Sequence, residues 1–289
     1  MMKRSAYITI FLMLVCAFVS VYAVAPLKGP NCIPVSSLAE EDLAFKNGEH
    51  IDYVLHYKWG AINTDVGTAT IDLDTAFVDG MELFHCRIAG KTAKFYDLFF
   101  KVREDFQSWF TRDGLVPIRF ERSSREGRYY SVNKYSYKWP SDRKPYIAAE
   151  VETSHKGNIS CELTLDGCTY DLPALYFMAR NINFNRVRPN IKYPMTFVVD
   201  NSVNNVYFIW LGRENKYVSG VGKVRTMKFA AKLLAGDVFA SGADMNIWIT
   251  EDKNRIPLCF EAPLRSGVVT GRITGWKGLK YDFDSIITE

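Results

Sequence analysis

Short segments of alternating apolar and polar residues follow one another along most of this chain. In the stretch 66–74, Ile71 and Leu73 fall on one face of an extended backbone, and the aspartates that alternate with them fall on the other. Alternation with a period of two predicts half-buried β-strands. Turn dipeptides such as Asp79-Gly80 and Glu126-Gly127 separate the segments. Many short strands at close spacing predict an all-β, mainly antiparallel fold.

The predicted strands lie at 51–58, 66–74, 81–89, 102–111, 115–123, 128–139, 146–153, 159–165, 193–200, 206–211, 216–219, 223–233, 245–250, 256–262 and 268–275. Two segments differ from this pattern. Asp171 followed by Pro173 predicts the N-cap and first turn of a short helix. Residues 95–100 predict one further helical turn. The fold class is therefore all-β with one or two short helices.

Residues 109–121 and 248–261 share one pattern. Each reads Trp, an apolar residue, Thr, a charged residue, Asp, a turn, an apolar residue and Pro, and ends in Phe-Glu. Such a match predicts a repeated supersecondary unit. Its charged residues then form the tip of a β-hairpin, with a functional loop as the alternative. Within a β-rich domain at 45–289, we expect two similar halves, about 45–165 and 190–289, joined by the helix and able to share one curved sheet.

The N-terminus has the pattern of a secretory signal peptide. Two basic residues precede a short apolar run at 8–18, and small residues lead up to Ala23. The run is shorter than the ~20 residues that a spanning helix needs. We expect residues 1–23 to be removed, the irregular leader 24–44 to follow, and the protein to work in the periplasm or cell envelope. An uncleaved anchor and a lipoprotein modified at Cys16 are the alternatives.

The net charge argues against a nucleic-acid partner. The full chain has a formal net charge of +4, and the signal peptide carries two of its cations and none of its acids, which leaves +2 on the mature chain. A charge so near neutral provides no basic footprint for nucleic acid. A lipid or glycan ligand, or another envelope protein, is the expected partner.

The chain has six cysteines, and five remain once the signal peptide is removed. An odd number leaves one thiol unpaired, which argues against a disulfide-stapled scaffold. Cys86 and Cys161 alternate with apolar neighbours, so we favour the role of small buried hydrophobic residues for them. The best disulfide candidate is the pair Cys161–Cys168.

The spacing of reactive residues predicts no catalytic residue, metal ligand or cofactor. The four histidines lie in unrelated contexts, and no zinc-site or hydrolase motif occurs. Asp72, Asp74 and Asp79 have the oxygen ligands that calcium prefers, but solvated carboxylates on a polar strand face are the favoured interpretation. An unidentified hydrolase that uses some of the 32 acidic residues stays an alternative to a non-catalytic role.

Residues 128–146 form an aromatic-rich strand region. Tyr135, Tyr137 and Trp139 share one strand face. Aromatic rings in a row suit stacking on sugars or the lining of a hydrophobic ligand hollow, but they equally suit cross-strand packing. Packing is the favoured interpretation, and contact with a glycan or with a hydrophobic ligand is the alternative.

A second candidate lies in the most apolar short run of the mature chain, which includes Phe95, Phe99 and Phe100. As a covered core segment it needs no function. As a lid over an apolar cavity it is the best ligand-contacting element, together with Tyr176 of the predicted helix.

Several motifs resemble one uncharacterised family. They are the entry motif at 45–49, the arginine-rich motif at 119–122, the helix entry at 170–172 and the hairpin motifs at 248–252 and 256–258. Together they are similar to the exported bacterial proteins catalogued as domain of unknown function 3108. The resemblance implies an envelope location and a β-rich fold, and it implies no activity.

A looser similarity is to periplasmic lipoprotein carriers, whose strands form an unclosed barrel around an apolar hollow covered by short helices. This fold-level likeness implies a curved sheet or open half-barrel, and fold alone does not determine function. The leading function hypothesis is non-catalytic binding of a lipid or other amphiphile in an apolar concavity. The alternative is a glycan-binding or envelope-assembly protein that uses an aromatic β face.

Overall fold

The computed structural model describes residues 33–165, 168–232 and 244–288. The predicted signal peptide, residues 1–23, lies outside these ranges, as does the first part of the expected leader. Among the described residues, no helix is both long enough and apolar enough to cross a membrane.

Strands make up most of the regular structure, with one short α-helix, α1, at Leu172–Ala179. Single 3-10 turns occur at Glu40–Asp42 and Tyr96–Leu98. In chain order the strands are β1 Glu49–Trp59, β2 Ile62–Val78, β3 Met81–Thr92, β4 Val102–Thr111, β5 Pro117–Glu126, β6 Tyr129–Lys138, β7 Tyr146–Thr153, β8 Gly157–Thr164, β9 Thr169–Tyr170, β10 Lys192–Val199, β11 Ser202–Val218, β12 Gly222–Lys232, β13 Asp244–Thr250, β14 Pro257–Pro263 and β15 Val268–Lys277.

All of these strands belong to one sheet, in the order β8-β7-β6-β5-β4-β3-β2-β1-β15-β14-β13-β12-β11-β10-β9. One wing of the sheet runs outward from β1 to β8, and the other runs from β15 to β9. Neighbouring strands are antiparallel, except for the parallel pair β9 and β10. Short hairpin connections allow this arrangement for strands that follow one another in the chain. Within the described chain, β8 and β9 form the two edges and do not pair with each other. The predicted all-β open sheet is confirmed.

The sheet has two distinct ends. One, which we call the loop end, carries the turns at 60–61, 93–101 and 127–128. The opposite end, which we call the base, carries the turns at 79–80 and 112–116. Because consecutive antiparallel strands reverse direction, each turn falls at a known end of the sheet.

The alternation of residues predicts β4 at 102–111 and β7 at 146–153 without error. The segments 206–211 and 216–219, predicted as separate strands, are parts of the single strand β11. The pairing of β11 with β12 shifts register at Gly212, whose φ is +112°. A glycine at positive φ allows this bulge, so the strand continues through a polar stretch that resembles a turn in sequence.

Helix α1 begins where the sequence predicts. The Ala174 N–H donates to Asp171 Oδ1 at 2.9 Å, which confirms Asp171 as the N-cap, and Pro173 lies in the first turn. Ala174, Phe177 and Met178 are buried on the concave side of the sheet. The helix therefore fills the space that the curved sheet encloses.

Side chains from both wings meet in this interior. The Phe177 ring lies 4.5 Å from the Phe45 ring and 5.9 Å from the Phe110 ring, measured between centroids. Val198 of β10 packs in the same apolar cluster as Tyr135 of β6, although the two strands belong to opposite wings. The sheet is curved around a packed core.

The two segments with a shared sequence pattern both form β-hairpins, and their turns, 112–116 and 251–256, both lie at the base. The Thr111 N–H donates to Val116 O at 3.0 Å, and the Thr250 N–H donates to Ile256 O at 2.9 Å. Each threonine hydroxyl accepts the N–H of the same partner residue at 2.9 Å. The prediction that the charged residues form hairpin tips is confirmed. The equivalent bonds support two similar halves, which stay a prediction.

The disulfide prediction is wrong. Cys161 carries a free thiol, as do Cys86 and Cys259, whereas Cys168 is disulfide-bonded. Cys161 lies half-buried on the edge strand β8, against the smaller apolar cluster, and therefore behaves as a small hydrophobic residue. The burial predicted for Cys86 is confirmed.

Candidate functional site

The most exposed apolar cluster of the described chain lies between β3 and β4, in residues 93–101, which we call the aromatic loop. Phe95, Leu98, Phe99 and Phe100 are 63%, 79%, 76% and 55% exposed, respectively. Single exposed apolar side chains are ordinary, but a contiguous exposed cluster marks an interaction surface. The prediction of a covered core segment is therefore wrong.

The aromatic loop is held in place by an acidic side chain at its centre. Asp97 Oδ1 accepts from Thr92 Oγ1 at 2.5 Å and from Arg103 Nη1 at 2.9 Å. These hydrogen bonds, above all the bond from Arg103, lower the pKa of Asp97 to about 2. The Tyr96 hydroxyl donates to Thr64 Oγ1 at 3.0 Å, which ties the loop to β2.

The exposed rings also contact one another and the neighbouring turn. The Phe95 ring lies 5.6 Å from that of Phe99 in an edge-on arrangement. The Phe100 ring covers Gly127, and the Gly127 N–H donates to Lys101 O at 2.8 Å. The loop thus presents its apolar side chains from a fixed backbone, an arrangement that lowers the entropy cost of binding.

Tyr176 lies apart from the aromatic loop. Its hydroxyl is 3.4 Å from the Tyr53 hydroxyl, which donates to Pro257 O at 2.6 Å, and its ring packs edge-on against Phe177. No hydrogen bond or ring contact among the described residues joins Tyr176 to the loop. The structure does not bring these predicted partners together.

The aromatic row of β6 belongs to the core. Tyr135 and Tyr137 are 1% and 4% exposed. Burial raises the pKa of Tyr135 to about 12. The Trp139 ring stacks on that of Tyr137, with 6.3 Å between centroids, and its Nε1–H donates to Pro117 O at 2.9 Å. The cross-strand contact is that of Tyr135 with Phe120 of β5, whose ring centroids lie 5.3 Å apart. Burial closes Tyr135 and Tyr137 to a sugar.

Asp171 is a buried carboxyl whose pKa lies well above its ordinary value. It has no exposed surface, and burial raises its pKa to about 6 despite hydrogen bonds from the Ala174 N–H, Tyr137 and Ser108. The hydroxyl bonds reach Asp171 Oδ2 at 2.9 Å and 3.1 Å. A raised carboxyl pKa is typical of catalytic acids. Here the carboxyl caps a helix inside the core, so the geometry supports a structural role.

A buried ion pair, which sequence analysis missed, connects the helix to the sheet. Arg180 follows α1, and its Nη2 donates to Glu49 Oε2 at 2.9 Å, with both side chains buried. Burial favours a lower pKa for Arg180, but the Glu49 carboxylate outweighs this effect and raises it. In the sequence, the only signal is an arginine next to the predicted helix.

Two surface depressions lie at the base, with volumes of about 430 Å³ and 370 Å³. Lys253, Arg255 and Asp42 contribute to the larger one, and Lys280 and Glu40 contribute to the smaller one. Their charged linings do not suit an apolar ligand. Among the residues that the structure describes, no group of three or more His, Cys, Asp or Glu side chains is arranged to hold a metal ion.

Comparison with protein families agrees with the resemblance seen in the sequence. The model of the family described as "Protein of unknown function (DUF3108)" matches residues 52–274. This chain belongs to the DUF3108 family. The matched region runs from β1 to β15 and contains both the aromatic loop and α1. No curated protein matches the chain.

A solved structure shares the fold of this DUF3108 protein. It is the crystal structure of a beta-barrel-like protein of domain of unknown function DUF1849 from Brucella abortus. The two are 10% identical, with a TM-score of 0.52, and the alignment covers 82% of this chain and 100% of that chain. At this identity the match shows a common barrel-like fold and carries no function.

Proposed function

We propose that this DUF3108 protein is a non-catalytic binding protein of the periplasm or cell envelope that contacts lipid through the aromatic loop. The observation that carries the proposal is the exposure of Phe95, Leu98, Phe99 and Phe100 on one loop that hydrogen bonds anchor to the sheet. Burying four such side chains in a lipid phase is strongly favourable, at about 1.5–3 kcal/mol for each fully buried side chain.

Two features of the chain support the expected location in the periplasm or cell envelope. The N-terminal pattern of residues 1–23 predicts export. The disulfide bond at Cys168 fits an oxidising compartment, because disulfides are rare in reducing cytosol. Both features support a periplasmic or envelope location.

The concave side of the sheet is a weaker candidate for the lipid site. Phe177 and Met178 of α1 occupy it, with 0% and 1% exposure, and Phe45 and Phe110 pack against the same helix. A preformed lipid carrier needs an apolar hollow of several hundred Å³. Lipid contact is therefore assigned to the outer loop.

The test is sedimentation with vesicles made from a lipid extract of the cell envelope. Wild-type protein is expected to sediment with the vesicles, and the variant Leu98→Ser/Phe99→Ser is expected to remain in solution. The matched control is Phe77→Ser, since Phe77 is 77% exposed at the base and Phe99 is 76% exposed at the loop end. Equal sedimentation of all three proteins contradicts the proposal.

A further inference from the structure

Exposed lysines that form no ion pair within the described ranges lie around the aromatic loop. Lys91, Lys94 and Lys101 lie within or beside the loop, and all three are exposed. In the described part of the chain, none of these ammonium groups forms an ion pair. The one acid of the loop, Asp97, is bound to Arg103. The loop therefore combines an apolar tip with net positive charge.

The strand register extends this positive surface. Lys91 of β3 lies opposite Arg103 of β4, and Arg103 lies opposite Arg125 of β5. Like charges in directly opposite positions destabilise a sheet. Arg103 is neutralised by Asp97, but Lys91 and Arg125 have no such partner among the described residues. Folding stability does not explain this concentration of charge, whereas an anionic partner does.

Two further cations lie at the same end of the sheet. Exposed Lys58 precedes the β1–β2 turn, next to Trp59, which is 53% exposed, and Arg128 lies in the β5–β6 turn. Ile62, 44% exposed, faces Trp59 across the hairpin. Trp59 and Ile62 therefore form a second exposed apolar tip, with Lys58 next to it, at the same end of the sheet as the aromatic loop.

The base carries exposed charges of both signs. Its acids include Glu41, Asp42 and Asp79, and its lysines include Lys46 and Lys223. The aromatic loop differs because its one acid, Asp97, is bound to Arg103 and its exposed charges are lysines.

We propose that the partner of the aromatic loop is the surface of an anionic phospholipid bilayer. The proposal rests on the proposed lipid contact and deepens it. Phe95, Leu98, Phe99 and Phe100 insert at the boundary of headgroups and acyl chains, while Lys94 and Lys101 remain at the level of the lipid phosphates. Apolar insertion together with cations at the headgroups is how interfacial segments bind membranes.

The test compares vesicles of zwitterionic phosphatidylcholine with vesicles that also contain acidic phosphatidylglycerol. Each cation near an anionic surface contributes about fivefold in affinity, so Lys94→Gln/Lys101→Gln is expected to weaken binding to acidic vesicles by about 25-fold. Binding to zwitterionic vesicles is expected to be unchanged. The matched control is Lys46→Gln/Lys223→Gln, which removes the same charge from exposed lysines at the base.

The outcomes separate this inference from the proposed function. If the lysine variant and the wild type bind acidic vesicles equally, or the control variant loses as much affinity, the anionic bilayer is wrong while lipid contact can stand. If Leu98→Ser/Phe99→Ser binds both vesicle types as the wild type does, the proposed function is also wrong. If the wild type binds neither type, the loop does not dock on a membrane, and a protein partner becomes the better explanation.

Discussion

The guanidinium of Arg180 and the carboxylate of Glu49 form a fully buried ion pair between the end of α1 and the start of β1. Arg180 Nε also donates to Asn254 O at 2.9 Å, and its Nη2 donates to Ala44 O at 3.2 Å. One side chain thus joins the helix to the N-terminal segment, to β1 and to the β13–β14 turn. This pairing fixes where the helix lies within the sheet.

Removing one partner of this pair is expected to be costly. Glu49→Gln leaves the Arg180 charge buried without a counter-ion, which should lower the free energy of unfolding by about 3–5 kcal/mol. The double variant Glu49→Gln/Arg180→Met should lose clearly less than the sum of the two single variants, because both charges are gone. Urea unfolding of the three variants measures this coupling. Additive losses, or a cost below about 1 kcal/mol for Glu49→Gln, contradict the account.

Asp171 should make stability depend on pH. Its pKa is raised from 3.8 to about 6 on folding, so the unfolded chain releases this proton at lower pH than the folded chain does. The contribution of Asp171 to stability is then highest below about pH 4, falls between about pH 4 and pH 6, and levels off above. The expected fall is roughly 3 kcal/mol.

Asp171→Asn is the matching variant, because asparagine also caps helices and does not titrate. The unfolding free energy of the wild type relative to the variant should fall across the interval from about pH 4 to pH 6. Urea unfolding at several pH values measures the difference. A difference that is flat or rises with pH is inconsistent with the buried carboxyl as described.

The β13–β14 turn should hold the C-terminal segment, residues 278–288, against the sheet. Asn254 Nδ2 donates to Tyr281 O and Asp282 O, and Asn254 Oδ1 accepts the Tyr281 N–H, each at 3.0 Å. Asn254→Ala removes all three bonds and should cost about 2–4 kcal/mol. Limited proteolysis should then cut within residues 278–288, whereas Asn158→Ala, which truncates an exposed asparagine of β8, should leave the cleavage pattern unchanged. Identical resistance in the two variants contradicts this role.

The link between Asp97 and Arg103 should keep the aromatic loop in its binding conformation. Asp97→Ala is expected to increase amide hydrogen exchange across 93–101 and to weaken binding to zwitterionic vesicles, on which the added positive charge has no effect, with no change in the midpoint of urea unfolding. Because the pKa of Asp97 is lowered to about 2, the link should persist at mildly acidic pH and be lost only as pH falls toward that value. Unchanged exchange in the variant would show that the loop is held by other contacts.

Most of the fold follows from local patterns. The alternation in β4 and β7 and the cap at Asp171 are signals within a few residues, so the sequence predicts them correctly. The register shift at Gly212 is harder, because a polar stretch inside a long bulged strand resembles a turn. The buried Arg180 depends on Glu49, 131 residues away, and no local pattern reveals such a partner.

The candidate site shows a further limit. Phe95 and Tyr135 both lie in aromatic-rich segments, yet one is 63% exposed and the other 1%. The difference depends on what covers each segment. The opposite wing covers Tyr135, with Val198 in the same cluster, while the Asp97–Arg103 link holds the loop at the end of the sheet. Both arrangements are tertiary, so sequence predicts the residues of the site but not their exposure.

Fluorescence of a tryptophan at position 99 reports directly whether the aromatic loop enters a membrane. Phe99→Trp and Phe77→Trp introduce the same fluorophore at equally exposed positions of opposite ends. With acidic vesicles whose acyl chains carry bromine, we expect a blue shift and quenching from the Trp at position 99, beyond those of the native tryptophans, which include Trp59 at the loop end. We expect the Trp at position 77 to add neither effect. Equal spectra for both variants, or quenching from position 77 alone, would contradict the insertion of the aromatic loop.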